Sequence, residues 1–174
     1  MEIRPLREDD DRSAFCCGNA DLDRFLRQFA GQNQFRHFVG VTYVAMEGRT
    51  LLGYVTVAPG EIAIDELPAT TRSRLPRYPL PVLRLARLAT HQDAHGRGIG
   101  ARLLQHALTL SVRMAAEVGC VGVVVDAKPE AVGFYTRYGF EPIGAVAGAS
   151  DARPQPVLLF LAMRAIREAG SSGG

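Results

Sequence analysis

The sequence contains no tryptophan and only three cysteines among 174 residues. Cys16 and Cys17 are adjacent and Cys120 stands alone, which gives neither a disulfide framework nor the ligand spacing of a zinc site. No metal is expected. Lysine is nearly missing too: Lys128 is the one lysine, and every other basic side chain except histidine is arginine. There is no apolar run of about 18 residues, so no membrane span is expected. Met1-Glu2-Ile3-Arg4-Pro5 lacks the apolar core of a signal peptide, and a cytoplasmic protein is expected. The hydrophobic content of 47% and charged content of 22% are those of an ordinary globular protein. A chain of this length makes one domain with a substantial core, expected over residues 1–166 with a flexible Gly/Ser tail at 167–174.

What is present centres on Leu88 to Leu104. A strand-like run, Val82 to Ala89, leads through Thr90-His91-Gln92-Asp93-Ala94-His95 into Gly96-Arg97-Gly98-Ile99-Gly100-Ala101 and then a helix. Glycines spaced this way leave backbone N–H groups uncovered where the helix begins, and the helix dipole adds partial positive charge. A phosphate-bearing ligand is implied. Glycine also serves wherever a loop needs a positive φ, so the loop alone does not decide the matter. Gly96-x-Gly98-x-x-Ala101 matches the dinucleotide fingerprint literally. That fingerprint, however, sits directly after its strand, and its acidic partner about 20 residues on is missing, since Asp126 comes later. The absence of a Gly-Lys-Ser/Thr run excludes a Walker A loop.

Charge is distributed unevenly. Between Arg72 and Arg102 lie Arg72, Arg74, Arg77, Arg84, Arg87, Arg97 and Arg102 against Asp93 alone, a segment of +6 in a chain whose total is +2. Such a patch beside a phosphate site suits a polyanion; the same arginines could equally be solvated along strand faces, and codon bias can explain the preference for arginine.

Along the chain, Ile3 to Leu6 reads as a first strand. Asp21 to Ala30 reads as an amphipathic helix with Leu22, Phe25, Leu26 and Phe29 on one face, capped by Asn19 or Asp21. Val41 to Ala45 and Leu51 to Ala58 form a hairpin closed by Pro59-Gly60. Pro68 to Pro81 is a proline-rich surface crossing. A helix spans Gly98 to Val118 and ends at Gly119. A strand covers Val121 to Val125, a short helix Pro129 to Tyr138, and the last strands start at Phe140 and occupy Val157 to Ala162; Ala165 to Gly174 then frays. The order predicts an α/β sheet of mixed direction. Tyr138 and Phe140 are expected in the core, Cys120 as a buried thiol, Asp126 as a helix cap, and His37, His91 and His106 in packing or surface roles.

With these segments in place, Gly96-Arg97-Gly98-Ile99-Gly100 and Phe134-Tyr135-Thr136-Arg137-Tyr138-Gly139-Phe140 resemble the GNAT N-acetyltransferase family. The resemblance implies a mixed, mostly antiparallel sheet with helices on both faces and an acyl-CoA site between the central strands. It implies acetyl-CoA held by Leu88, Ala89, Thr90, His95, Gly96, Arg97, Gly98, Ile99, Gly100, Ala101 and Phe134, with His95 departing from the usual Gln or Arg. Phe15 to Leu26, Thr42-Tyr43-Val44, Gly53 to Thr56 and Leu75 to Ala89 are similar to the acetyltransferase toxins of bacterial toxin–antitoxin pairs. That resemblance implies aminoacyl-tRNA as acceptor, with Arg72, Arg74, Arg77, Arg84 and Arg87 as its contacts, and a ribbon-helix-helix antitoxin as partner. Toxins of this kind often form homodimers.

The chemistry adds roles. A backbone N–H near Leu88 is the family's donor to the thioester carbonyl oxygen as negative charge builds. Tyr135 is the candidate acid for the departing thiolate, because a phenol with a pKa of about 10 is protonated at neutral pH. The α-amine of an aminoacyl ester requires no strong base. Two other classes remain open: an acetyltransferase for a small amine or a protein, and a non-catalytic acyl-CoA binding module.

Overall fold

Asn19 starts the first helix: its Oδ1 accepts from the N–H groups of Asp21 and Leu22 at 3.0 and 3.1 Å, as an N-cap side chain does. Helix α1 (Ala20–Arg24) runs into a π-helical turn, Phe25–Phe29, then α2 (Ala30–Gln32) and a second π-helical turn, Asn33–His37. The computed structural model describes residues 1–77, 79–143 and 156–172. A plain α-helix with Phe29 on its buried face is not what forms. The Ala30 N–H bonds to Phe25 O, five residues back, so the turn carries an extra residue. Burial passes from position 29 to position 30: Ala30 is 1% exposed, Phe29 44%.

The remaining elements are β1 (Glu2–Pro5), β2 (Val41–Glu47), β3 (Thr50–Ile62), α3 (Ala69–Arg72), β4 (Leu80–Thr90), α4 (Ile99–Glu117), β5 (Gly122–Ala127), α5 (Val132–Thr136), β6 (Glu141–Pro142), β7 (Val157–Ala162) and α6 (Met163–Ser172). The strands form a seven-stranded sheet in the order β1-β2-β3-β4-β5-β7-β6. The pairs β1–β2, β2–β3, β5–β7 and β6–β7 are antiparallel. The expected α/β class with a mostly antiparallel sheet is the one observed.

The chain divides into two compact units, each discontinuous in sequence: Met1–Ala58 with Leu85–Thr109, and Pro59–Arg84 with Leu110–Gly174. In the first, Leu6, Phe15, Phe25, Leu26, Val44, Met46, Leu51 and Tyr54 form a core that reaches Ala89 near the end of β4. Gly53 sets how closely the start of α4 approaches β3. A Cβ there would stand 2.9 Å from Ala89 O and 3.0 and 3.1 Å from the Leu103 and Ile99 side chains, so only a bare Cα leaves room. In the second unit Ile62, Leu67, Leu80, Val82, Val124, Ile143 and Phe160 make the core. Gly122 lies against Leu161 O and the Phe160 ring with no space for a side chain. β5 and β7 pair from Gly122↔Ala162 to Ala127↔Val157.

Several boundaries differ from expectation. Pro59-Gly60 does not close β3, which continues to Ile62, buried at 4%; a proline is tolerated in a strand where no ladder bond needs its missing N–H. The proline-rich crossing holds α3, with Pro68 at its N-cap position, where that N–H is not required. Phe140 precedes β6 rather than opening a strand. Residues 163–172 are helical, and Ser171 and Ser172 donate to the carbonyls of Arg167 and Glu168; these bonds within the last turns are what composition did not reveal. The rest of the expected tail, 173–174, lies outside the described residues.

Candidate active site

β4 ends at Thr90, and the loop from His91 to Gly98 is shaped by its own hydrogen bonds. His91 N donates to Leu52 O at 2.7 Å. Its Nδ1 accepts from Asp93 N–H at 3.1 Å, so its Nε2 carries the proton donated to Ala14 O at 3.3 Å. The His91 ring also meets Phe15 edge-on, the packing role expected of it. His95 donates from Nε2 to Thr90 O at 3.1 Å, which closes the loop at its base. Ala94 and Ile99 are buried and anchor it. Between these anchors Gly96 and Gly98 have φ of +82° and +75°, and a Cβ on either would meet nothing within 4 Å. Here the glycines serve backbone conformation in an open loop.

The first hydrogen bond of α4 runs from Arg102 N to Gly98 O at 3.2 Å. The N–H groups of Ile99, Gly100 and Ala101 therefore have no acceptor within the helix, at the positive end of a 19-residue dipole. Arg97 is exposed beside them and pairs with Glu47 at 2.6 Å; this guanidinium holds the Glu47 carboxyl below the usual carboxylate range. Glycines with positive φ, open space above them, free helix-start donors and an adjacent arginine are the features an anionic phosphate needs. Leu88 and Thr90 are half-buried, and Ala89 is buried in the core.

The five arginines expected to face RNA are not equivalent. Arg72, Arg74 and Arg77 are exposed. Arg84 pairs with Asp126 at 2.8 Å, so Asp126 is an ion-pair partner rather than a helix cap; Lys128 occupies the N-cap position of the next turn, without a side-chain cap bond. The Arg87 guanidinium lies 3.8 Å above the Phe25 ring, a cation–π contact. Position 25 is where the π-helical turn begins, so that turn also sets the ring beneath Arg87. Nothing in a single sequence relates position 25 to 87 or 47 to 97, and sequence reasoning missed both partners.

In the second unit Tyr135 sits on α5, 5% exposed. Phe134 and Phe140 meet its ring edge-on at 5.1 and 5.5 Å. Tyr138 N and Phe140 N both bond to Tyr135 O, a turn that Gly139 permits with φ of +94°. Burial pushes the Tyr135 phenol well above its ordinary pKa, so it stays protonated. Among the described residues its hydroxyl has no hydrogen-bond partner, and no fully buried side-chain oxygen lacks one; the oxygen therefore keeps some solvent contact, and its proton is free to donate. Tyr138, expected in the core, is 39% exposed with its ring on Phe134, because the turn at Gly139 carries it outward; Phe140 is buried as expected.

Other reactive groups are occupied. Asp23 is buried and accepts from Cys17 N at 2.8 Å; burial and this carboxylate push the Cys17 thiol up to about 11. Cys120 is buried, its thiol donating to Gly122 O at 3.2 Å. His106 packs on Tyr43 with ring centroids 4.5 Å apart, and burial lowers its pKa.

Comparison with known proteins agrees with this arrangement. The acetyltransferase (GNAT) domain profile matches residues 39–142. A "tRNA-acetylating toxin" of Mycobacterium tuberculosis (strain ATCC 25618 / H37Rv) is 32% identical over 156 residues, covering 86% of this chain and 93% of its own. The structure of AtaT complexed with acetyl-methionyl-tRNAfMet superposes with a TM-score of 0.83 at 26% identity, covering 97% of this chain and 98% of that one. A tyrosine-to-phenylalanine mutant of the AtaT toxin, bound to the C-terminus of the antitoxin AtaR and acetyl-CoA, gives a TM-score of 0.77 at 25% identity over 98% of each chain. With its matched domain, its sheet order and its glycine loop opening a long helix, the chain belongs to the GNAT acetyltransferase family.

Proposed function

We propose that this protein transfers acetyl from acetyl-CoA to the α-amine of aminoacyl-tRNA and acts as the toxin of a toxin–antitoxin pair, working in the cytoplasm where charged tRNA is found. The observation that carries this reading is the similarity to a tRNA-acetylating toxin along nearly the full length of both chains. The tRNA complex and the acetyl-CoA and antitoxin complex of similar structures support the acceptor, the acetyl donor and the partner.

The glycine loop has the chemistry to hold the pyrophosphate of acetyl-CoA: the N–H groups of Ile99, Gly100 and Ala101 donate to phosphate oxygens, and Arg97, ion-paired with Glu47, places a guanidinium beside them. The bound molecule brings an acetyl group activated as a thioester. Leu88 N–H donates to the carbonyl oxygen while negative charge develops on it, a preorganised donor of the kind that often supplies the largest catalytic contribution. The α-amine forms the C–N bond as the C–S bond breaks. Tyr135 gives its phenolic proton to the departing thiolate, and the proton released by the amine passes to solvent, from which the tyrosine is reprotonated; its raised pKa keeps it in the acid form. Phe134 packs edge-on against that tyrosine and fixes the orientation of its ring. Arg72 and Arg77 meet the RNA backbone, and Arg87, held flat on Phe25, contributes a fixed charge next to Leu88 in β4.

Purified protein incubated with radiolabelled acetyl-CoA and total charged tRNA tests the reading. Label in the aminoacyl-tRNA fraction, released on deacylation, supports it; bound acetyl-CoA with no label in tRNA overturns it. One observation favours a second reading, an acetyltransferase for a small amine: Arg84 and Arg87 are engaged by Asp126 and Phe25, which narrows the solvated basic patch. Label appearing in small amines while charged tRNA stays unlabelled would establish it.

A further inference from the structure

Within the second unit a cavity of about 510 Å³ opens at the N-terminal end of β5, lined by Thr70, Thr71, Arg74, Leu75, Cys120, Val121, Ala162, Met163 and Arg164. It is not part of the Tyr135 region. α5 lies beyond the other end of β5, and a six-residue strand rising about 3.3 Å per residue separates the two ends by roughly 20 Å. Its size falls in the range of ligand sites. The floor is the apolar junction of β5 and β7 with α6, tied together by the bond from Met163 N to Val121 O at 2.9 Å. Among the described residues no acidic side chain lines it. Arg74 and Arg164 both line it, and among the described residues neither makes an ion pair. Among the described residues no aromatic side chain lines it either, so they offer no stacking platform of the kind single-stranded RNA uses.

We infer that this cavity seats an acidic peptide segment of the neutralising partner, with an apolar side chain on the floor of Leu75, Val121, Ala162 and Met163 and flanking carboxylates paired to Arg74 and Arg164. Guanidinium–carboxylate pairing in a forked geometry supplies orientation as well as charge, and the Thr70 and Thr71 hydroxyls bond to the peptide backbone. The identification of the peptide as the antitoxin's rests on the toxin reading; the chemistry of the cavity does not. Arg74 is thereby assigned to this site rather than to RNA.

The test is an NMR titration of the isotope-labelled full chain with the peptide acetyl-Glu-Leu-Glu-Phe-Glu-amide, its all-lysine counterpart and a single-stranded CCA oligonucleotide. The acidic peptide is expected to shift Val121, Ala162 and Met163 resonances saturably, with a Kd below about 1 mM. Arg74→Glu and Arg164→Glu should each weaken it about fivefold or more, and the lysine peptide should leave these signals in place. Absent or scattered shifts at millimolar peptide overturn the inference, as does an oligonucleotide that moves the same signals more strongly. Acetylation of charged tRNA is measured alongside: Arg164→Glu should retain the wild-type rate. A wild-type chain that binds the peptide but does not acetylate tRNA would leave the cavity's ligand class standing and remove its identification with an antitoxin.

Discussion

Tyr135 combines two properties that rarely coincide in one side chain: a ring buried among Phe134 and Phe140 and a hydroxyl with no partner among the described residues. Packing therefore belongs to the ring, and on the proposed reading reactivity belongs to the oxygen. Tyr135→Phe keeps every ring contact and should leave the melting temperature within a degree or two. It should lower kcat roughly 10²–10⁴-fold, the usual contribution of a positioned acid, with the KM for acetyl-CoA unchanged; steady-state kinetics beside a thermal melt separates the two effects. The pH profile carries a second expectation. Burial raises the phenol's pKa, so the protonated, competent form persists as pH rises, and kcat should show no alkaline loss from this group below about pH 10, the value of an unperturbed tyrosine. A descending limb near pH 8 that vanished in the phenylalanine variant would contradict that assignment. Tyr135 itself could be singled out from the sequence because its chemistry and its Gly-Phe neighbours travel together. The partners of Arg87 and Arg97 could not: Phe25 and Glu47 reach them through tertiary contacts 62 and 50 residues away.

At the scale of elements, the stretch from β4 to α4 was readable because positive φ strongly favours glycine, and Gly96 and Gly98 before an apolar 3.6-residue period leave few alternatives. The first helix was readable only in part. The period of Leu22, Phe25, Leu26 and Phe29 assumes 3.6 residues per turn, and the π-helical turn at Phe25–Phe29 breaks that assumption without a local signal. The two glycine classes in the structure predict opposite phenotypes. Gly98→Ala places a Cβ in open space but at φ of +75°, a strain of about 1–2 kcal/mol, and it disturbs the donors at the start of α4. It should raise the KM for acetyl-CoA severalfold with a stability loss of no more than that strain, about 1–2 kcal/mol. Gly53→Ala drives a Cβ onto Ala89 O and the Ile99 and Leu103 side chains and should destabilise the fold by about 1–3 kcal/mol, the range for overpacking. Denaturant unfolding and acetyl-CoA titration on both variants check the contrast. Equal effects of the two on acetyl-CoA affinity would mean that the loop's conformation is not what binds.

At the scale of the whole molecule, the acceptor is decided by charge, and the structure sharpens which charge. Seven arginines between positions 72 and 102 look alike in the sequence, because sequence carries no record of which are already paired. Arg84 is committed to Asp126, Arg87 to Phe25, and Arg97 to Glu47. Of the other four, Arg102 is exposed on α4 beside the glycine loop and Arg74 lines the cavity; on the proposed reading, Arg72 at the end of α3 and Arg77 in the segment leading to β4, exposed and without an ion pair among the described residues, meet the phosphate backbone. Contacts to phosphate release counterions, so their contribution must fall as salt rises. Arg72→Glu with Arg77→Glu should raise the KM for charged tRNA at least about tenfold at roughly 0.1 M salt, and its salt dependence should be shallower than the wild type's. Acetylation of a small aminoacyl ester, which has no backbone to grip, should proceed at the wild-type rate. Expression of the wild type should arrest growth, and expression of the double variant should not. If instead the variant modifies charged tRNA as well as the wild type and loses the small ester, the segment between α3 and β4 serves the acetyl-transfer centre itself, and the RNA must approach from another face.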